Sequence, residues 1–424
     1  MHDATDTRQL VDHLFRARAG QMVAWLTRIF GPAHLELAEE VVQDALLKAL
    51  QHWPYSGVPD NPAGWLFRVA RNGALDAMRR DRRSFRLKAE ATAEATVEAT
   101  AREGNANSVI LDGPVEDDEL RMVFLCCRPE LSRDARVALS LKTVGAFSVP
   151  EIARAFLVPE ATIAQRLVRA RRQLRDGNAQ FDLPSGQDLT NRLDSVLEVI
   201  YLLFNEGYVA HVGDDLIRLD LCREGLRLAR LVADSPATSA PPAQALTALI
   251  AFQAARLPAR VDMAGEMVLL EEQDRRLWDS RLISLAFRHL ERSADGTVMT
   301  TYHVQAAIAA AHATAANADA TPWRAILRLY DDLLRINPSS VVALNRSVAV
   351  SKVHGPAAAL RAIEPLEQDS AMADYYLLHA VKARLLADVG DSAGAANAYR
   401  AALARPCTEP ERRFLLHRLA TAGG

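Results

Sequence analysis

Apolar side chains recur along most of this chain three or four residues apart, which is the spacing of amphipathic helices. Alternating runs of Val, Ile and Thr, typical of half-buried strands, are nearly absent, while Ala, Leu and Arg are abundant. We therefore predict an all-α fold. The chain has 424 residues, enough for about three domains that each bury their own core.

The same pattern divides the chain into segments. Three helix-like stretches fill residues 8–88, and a Pro-rich break separates the second, from about Leu35 to Leu50, from the third, which begins at Pro62. Residues 89–119 hold nine acidic residues against one Arg, a local charge of −8, and few large apolar residues, so we predict an acidic linker. Further domains are predicted at 120–177, 188–320 and 321–420.

The last hundred residues show an internal repeat. Leu344 and Leu378, like Ala349 and Ala383, stand 34 residues apart. The segments PWRAILRLYDDLLRINP and GDSAGAANAYRAALARP read as degenerate copies of one helical unit. A period of this length predicts helix pairs of the tetratricopeptide type.

Residues 148–175 read as helix, tight turn, helix. Ser148 and Glu151 form a capping-box pattern before the first helix, and Pro159 ends the turn before the second. In the second helix, one stripe is apolar and must face a core, while the opposite stripe is polar and basic. On that stripe and at the helix start we predict the following DNA contacts: Glu160, Thr162, Gln165, Arg166, Arg169 and Arg172.

Local charge supports this interpretation although the whole chain carries a formal charge of −3. Residues 133–175 contain nine basic residues against three acidic ones, a local charge of +6, and positive charge favours contact with a phosphate backbone. An ordinary solvated helix pair is the alternative, because such patterns also arise by chance in Arg-rich helical proteins.

A second basic element covers residues 62–88, again with a local charge of +6. Its polar face and the preceding Pro-rich loop, where aromatic side chains could hold unstacked bases, predict a second set of DNA contacts: Trp53, Tyr55, Asn61, Trp65, Arg68, Arg71, Asn72, Arg79, Arg80, Arg82 and Arg83. The alternative for the three aromatic residues is that they pack in a core or between domains.

Two of these elements carry a family resemblance. The run LAEEVVQDALLKAL (37–50), the Pro-rich loop and WLFRVARNGALDAMRR (65–80) resemble region two of the extracytoplasmic-function (ECF) RNA polymerase sigma factors. The helix-turn-helix at 148–175 resembles their region four. The resemblance implies that core RNA polymerase and promoter DNA are the partners. It also implies polymerase contacts at Glu39, Glu40, Gln43, Asp44 and Lys48, for which a solvated helix face is the alternative.

By the same resemblance, the loop at 53–61 and the helix at 62–83 would recognise and open the minus-ten element. The helix at 160–175 would read the minus-thirty-five element as a duplex. The acidic linker would thread the polymerase channels, where anionic side chains can mimic nucleic acid. An inert solvated tether is the alternative for that linker.

The C-terminal extension also resembles known sigma factors. Its blocks VIYLLFNEGYVAH (199–211), ALTALIAFQAARLPARVD (245–262), LLEEQDRRLWD (269–279) and YHVQAAIAAAH (302–312) resemble those of a group with a tetratricopeptide-like C-terminal domain. Because helical repeats form concave binding surfaces, we expect this domain to modulate the sigma unit, by an intramolecular contact or through polymerase. For the NEGY motif the favoured interpretation is a helix terminus fixed by Gly207.

Other classes of function find little support in the sequence. There is no HExxH, no phosphate-binding loop, no nucleophile elbow and no acidic metal cluster, so we expect no enzyme, cofactor or metal. The four cysteines form no CxxC pair, so we expect the protein to reside in the reducing cytoplasm. We also expect no membrane-spanning segment in the chain. The rival is a one-component helix-turn-helix regulator with a ligand- or peptide-sensing domain, which leaves residues 37–83 without a purpose.

Overall fold

A computed structural model describes residues 18–91, 115–156, 158–208, 217–263 and 265–422, without the side chains of 81–91, 115 and 116. The chain forms two compact units, Met1–Val199 and Ile200–Gly424. The described residues are helical apart from turns, loops and one isolated β-bridge between Val261 and Met267. The predicted all-α fold is confirmed.

The first unit contains α1 at residues 18–30, and the helices that follow are α2 Leu35–Ser56, α3 Pro62–Ala91, α4 Val115–Cys126, α5 Arg133–Thr143, α6 Val149–Ala155 and α7 Glu160–Asp176. Helix α8, Gly186–Tyr208, contains the boundary between the units. The sequence-based start of the extension at residue 188 therefore falls inside α8, whose residues up to Val199 group with the first unit.

Helices α2 and α3 pack along their apolar faces. Val41 and Ala45 of α2 are buried, as are Leu66 and Ala70 of α3. A Cβ atom on Gly73 would lie 3.5 Å from the Val41 side chain, an ordinary van der Waals contact, so the two helices are in close contact at this position. Burial of such aliphatic side chains stabilises each by about 1.5–3 kcal/mol, which is what holds the two helices together.

Helix α2 continues through Pro54 to Ser56, beyond the predicted end at Leu50. A proline disrupts a helix because it lacks an N–H group and crowds the preceding turn. Here it lies in the last turn, only two residues before the helix ends, so the backbone tolerates it. The loop that follows is correspondingly shorter than the predicted 53–61.

Helices α4 to α7 form a second cluster of the first unit. The predicted core stripe of α7 is confirmed: Ile163, Leu167, Ala170 and Leu174 are each at most 3% exposed. Helix α4 begins at Val115, so Asp118 and Glu119, which the sequence placed in the acidic linker, are buried helical residues. Most of that linker, residues 92–114, lies outside the described residues.

The second unit contains helices α9 to α18, which are α9 Leu219–Asp234, α10 Pro241–Ala255, α11 Ser280–Ser293, α12 Thr301–Thr314, α13 Trp323–Ile336, α14 Ser340–His354, α15 Pro356–Ile363, α16 Tyr376–Asp388, α17 Ser392–Leu403 and α18 Glu409–Ala422. Helix α10 is central: it packs against α9, α11 and α12, and twelve of its fifteen residues are buried. From α12 onward each helix packs against the next.

The 34-residue spacing seen in the sequence corresponds to equivalent positions in α14 and α16. Leu344 and Leu378 are each 2% exposed, and Ala349 and Ala383 are fully buried. The turn after each of these helices contains a glycine in the left-handed region, with φ of 85° at Gly355 and 87° at Gly390. Glycine adopts this conformation without strain. The membership of these helices in the tetratricopeptide class stays a prediction.

None of the helices in the described part of the chain has the length and apolar character needed to span a bilayer.

Candidate nucleic-acid interface

The helix-turn-helix is fixed by local interactions that the sequence predicted. The Ser148 hydroxyl accepts a hydrogen bond from the Glu151 backbone N–H at 3.3 Å, and the Ser148 N–H donates to the Glu151 carboxylate at 2.7 Å. This capping box starts α6, and α7 begins at Glu160 as predicted. Residue 157 of the turn lies outside the described residues.

The polar stripe of α7 faces away from its buried stripe. Gln165, Arg169 and Arg172 are exposed, Glu160 is exposed at the helix start, and Thr162 is half-buried. Two of the predicted contacts have intramolecular partners: Arg166 pairs with Asp134 at 2.8 Å, and Arg172 with Asp176 at 3.2 Å. Exposed pairs of this kind contribute only about 0–1 kcal/mol, so both guanidinium groups can exchange their carboxylates for phosphates.

The basic face of α3 is also open to solvent. Arg68, Asn72, Arg79 and Arg80 are exposed, and Arg71 is half-buried. Arg79 approaches Asp76 one turn earlier at 3.6 Å. The predicted contacts Arg82 and Arg83 lie in α3, but their side chains are outside the described ones. The α3 face can therefore bind a phosphate backbone.

Of the aromatic residues predicted to contact DNA, Trp53 is buried and Tyr55 is exposed. Trp53 does not lie in a loop: it belongs to α2, is 2% exposed and packs edge-on against Trp65 at 5.4 Å. The prediction that Trp53 contacts DNA is therefore wrong, because a core side chain cannot hold an unstacked base. Trp53 is buried because α2 continues past Pro54. Tyr55 is 92% exposed. The Asn61 side chain accepts a hydrogen bond from Gly64 N–H at 2.8 Å, so it also caps the start of α3.

Of the five candidate polymerase contacts on α2, four are exposed and one is buried. Glu40, Gln43, Asp44 and Lys48 are exposed on one side of the helix. Glu39 is only 7% exposed, which differs from the expected surface position. Its carboxylate accepts hydrogen bonds from Thr143 of α5, at 2.7 Å, and from Arg171 of α7. Glu39 is therefore occupied within the chain in this arrangement.

Three further features join helices α1–α3 to helices α4–α7 within the first unit. Arg171 also approaches Glu36 at 3.8 Å, and Arg28 of α1 pairs with Asp118 of α4 at 3.0 Å. A Cβ atom on Gly20 would lie 2.1 Å from the Val144 carbonyl oxygen, so α1 approaches the end of α5 without room for a side chain. The pKa of Asp118 is raised because burial disfavours its charged form, an effect that Arg28 and Arg121 partly oppose.

Sequence reasoning missed these inter-helix residues. Arg171 sits in a run of arginines and Gly20 in an Ala-rich segment, so no local pattern distinguishes either residue from its neighbours. Only the fold brings Glu39 and Arg171 together across 132 positions of the chain.

Comparison with known proteins assigns both elements. Residues 14–84 match the model of Sigma-70 region 2, and residues 121–174 match that of Sigma-70, region 4. The ECF RNA polymerase sigma factor SigL of Mycobacterium tuberculosis is 30% identical over 167 residues, which cover 87% of SigL and 39% of this chain. The chain belongs to the ECF sigma factor family. The helices α1–α3 thus form its region two, and α4–α7 contain its region four.

This sigma factor is much longer than the segment shared with SigL. Residues 192–294 match a family of unknown function, DUF6596. Over nearly its whole length the sigma factor is 39% identical to the Uncharacterized protein R00370 of Rhizobium meliloti (strain 1021), across 97% of this chain and 95% of that protein. No solved structure matches it. The extension therefore recurs together with the sigma regions in at least one other protein.

Proposed function

We propose that this sigma factor binds core RNA polymerase, directs it to promoters with minus-ten and minus-thirty-five elements, and is modulated by its own C-terminal helices. The observation that carries the proposal is the exposed polar stripe of α7, backed by a fully buried apolar stripe. A rigid helix with this division can enter a major groove and keep its side chains directed at base edges.

The proposed contacts at the minus-thirty-five element follow from exposure. Gln165 and Arg169 are exposed one helical turn apart on α7. Gln can bond adenine and Arg can bond guanine in a bidentate manner, each worth about 1–3 kcal/mol of discrimination. Arg166 and Arg172 are proposed to bind flanking phosphates.

Opening of the minus-ten element is proposed for α3 and the loop before it. The exposed Arg68, Arg79 and Arg80 would bind the backbone, while the exposed ring of Tyr55 would stack on an unpaired base. Trp53 is replaced in this role because it is buried. On α2, the exposed Glu40, Gln43, Asp44 and Lys48 would contact polymerase, as in the ECF family.

The decisive experiment is promoter-specific transcription by the full-length protein with purified core polymerase, using genomic fragments as templates. Charge reversal by Arg169→Glu should abolish specific transcripts, whereas Arg361→Glu, an exposed charge reversal on α15, should leave them unchanged. A protein that gives no promoter-specific transcripts with core enzyme would refute the proposal. Unaided binding to a duplex operator would instead favour the one-component regulator.

Modulation by the C-terminal helices is tested by shortening the chain after Tyr208. The cut should not be made at residue 188, because Arg192 donates to the Phe124 carbonyl oxygen at 3.0 Å and Glu198 pairs with Arg133 at 3.0 Å. Those contacts belong to the first unit. After circular dichroism has confirmed that the shortened protein is folded, its transcription rate should differ from that of the full chain; an unaltered rate would remove this part of the proposal.

A further inference from the structure

The second unit contains a cavity, partly open to solvent, that the proposed function does not use. It lies among α12, α13, α14, α16, α17, α18 and the segment between the Val261–Met267 bridge and α11, and it has a volume of about 330 Å³. Its wall is largely aromatic and aliphatic, with Trp323, Tyr330, Tyr376, Phe414 and Leu385 among the lining residues. A volume and lining of this kind lie at the lower end of those of small-molecule sites.

An acidic segment closes one side of the cavity. The Glu271 carboxylate accepts hydrogen bonds from Lys352 at 2.7 Å and Arg384 at 2.8 Å, and Glu272 pairs with Arg418 at 2.5 Å. The basic side chains of α14, α16 and α18 are thereby bound within the chain. The remaining space suits a compact molecule rather than an extended acidic peptide, because the charges that would hold such a peptide already have partners.

A buried polar atom at the cavity lacks a partner. His312 of α12 lines the cavity and is 8% exposed, and its Nδ1 atom has no hydrogen-bond partner among the described residues. Buried polar atoms are nearly always hydrogen-bonded. Burial lowers the pKa of His312 to about 4, so the ring is neutral at physiological pH. A neutral imidazole can offer one N–H donor to a bound molecule.

Tyr330, which also lines the cavity, is a second polar side chain there. Burial raises the pKa of Tyr330 to about 12, so the hydroxyl keeps its proton. Its proton can therefore be donated to a ligand that enters the cavity.

Positive charge near these two groups favours a negative ligand. The Arg275 guanidinium lines the cavity and donates to the carbonyl oxygens of His312, at 2.5 Å, and Ala315 rather than to a carboxylate. Arg256 donates to the amide oxygens of Gln253 and Gln273, each at 3.3 Å. Both guanidinium groups act on His312 and lower its pKa. Both guanidinium groups are half-buried and bound to neutral acceptors, so the surroundings of His312 carry a positive charge that an anion would offset. The carboxylates that line the cavity have their own partners: Glu271 and Asp388 pair with Arg384, and Glu411 accepts a hydrogen bond from Tyr376.

We propose that this cavity binds a small organic anion with an apolar body of about one or two rings, whose charged group bonds His312 and Tyr330 under the positive potential of Arg275 and Arg256. The apolar body lies against Trp323 and Phe414. Ligand binding to this cavity can be measured without polymerase. A negative binding result would therefore refute this inference and leave the proposed function untouched, and the reverse also holds.

The test measures binding of 8-anilinonaphthalene-1-sulfonate, an anion with an apolar ring system, to the full-length protein by fluorescence. In competition, 2-naphthoate should displace it at concentrations at least about tenfold lower than the neutral 2-naphthalenemethanol, because charge and not ring area alone selects the ligand. Equal competition by the two compounds, or no displacement by 2-naphthoate, would overturn the proposal.

Two variants locate the binding. Ala380→Phe fills the cavity from α16 and should abolish displaceable binding, whereas Ala387→Phe, an exposed position on the same helix, should leave it unchanged. Tyr330→Phe removes one hydroxyl and should weaken 2-naphthoate binding by roughly fivefold to tenfold. Thermal unfolding of each variant separates lost binding from lost folding. The inference would be contradicted if folded Ala380→Phe and Tyr330→Phe bound 2-naphthoate with unchanged affinity. It would also be contradicted if a synthetic peptide of residues 267–278, and not 2-naphthoate, displaced the fluorescent anion.

Discussion

Replacement of Arg171 by methionine should loosen the packing of region four against region two. Arg171 is the basic partner of the buried Glu39 carboxylate, and its side chain is 15% exposed. Methionine keeps much of the apolar stem but removes the charge. Glu39 would then keep only the Thr143 hydroxyl as a hydrogen-bond donor among the contacts described above.

The size of the effect follows from this burial. Removal of one partner from a buried ion pair costs about 3–5 kcal/mol. The remaining Thr143 hydrogen bond and the partial exposure of Arg171 reduce this, so we expect a loss of about 2–3 kcal/mol, equivalent to a roughly 30- to 150-fold larger equilibrium constant for opening. Arg172→Met is the matched control, because its pair with Asp176 is exposed; it should change stability by less than about 0.5 kcal/mol.

Amide hydrogen exchange measured by mass spectrometry reports the effect locally, which matters because two compact units need not unfold together. Peptides from α2 and α7 should exchange faster in Arg171→Met and unchanged in Arg172→Met. A second replacement, Glu39→Met, should restore most of the protection, because an apolar pair can substitute for a buried ion pair. Equal protection in Arg171→Met and Arg172→Met would refute the reasoning.

Three other predictions concern single side chains. Trp53→Ala should destabilise the first unit by about 3–5 kcal/mol in urea unfolding, whereas Tyr55→Ala should leave stability unchanged and reduce promoter opening in permanganate footprints; equal stability loss would contradict their assigned positions. Gln165→Ala should lower the preference for one base pair of the minus-thirty-five element by about 1–3 kcal/mol, which transcription from a promoter library would measure. A uniform loss of transcription across all sequences would argue against a base contact. Burial lowers the pKa of His312 to about 4 from an ordinary 6.5, so the unfolded chain binds this proton first as pH falls, and His312 should contribute a stability loss of about 2 kcal/mol between pH 7 and pH 5. In thermal unfolding, His312→Leu should remove this contribution and keep the smaller one of His289, His303 and His379, whose pKa values burial also lowers.

The proposed contacts with both promoter elements require a rearrangement of the first unit. The minus-ten and minus-thirty-five elements lie about 80 Å apart along a duplex, whereas Glu39 of region two is hydrogen-bonded to Arg171 of region four. Both regions cannot reach their proposed elements in this arrangement. Gly20→Ala, which places a Cβ atom against the Val144 carbonyl, should therefore favour the separated form, and faster hydrogen exchange in α1 and α5 would show it; unchanged exchange would contradict this.

Much of the fold could be predicted from local patterns. The capping box at Ser148, the start of α7 and its four buried positions each depend on residues within a few positions of one another. The end of α2 could not be located, because a proline within the last turn and one between helices look alike in sequence. Trp53 was misplaced for the same reason.

The site was predictable where it depends on one helix and unpredictable where it depends on two. The exposed stripe of α7 follows from its own periodicity. The burial of Glu39 follows from Thr143 and Arg171, which the fold brings from positions more than a hundred residues away. The His312 cavity likewise combines residues of several helices that share no motif. The period of 34 residues, in contrast, indicated the equivalence of α14 and α16.

The segment carrying Glu271 and Glu272, which lies between α10 and α11, contacts the last helix of the second unit, since Glu272 pairs with Arg418 across 146 positions. Ordinary repeat arrays are quasi-one-dimensional, so a terminal repeat can be trimmed with only a local loss of stability. Loss of α18 from this chain would instead remove Arg418, the partner of the Glu272 carboxylate 146 positions earlier. Because Arg418 is synthesised long after Glu272, this contact can form only once the ribosome has released the final helix.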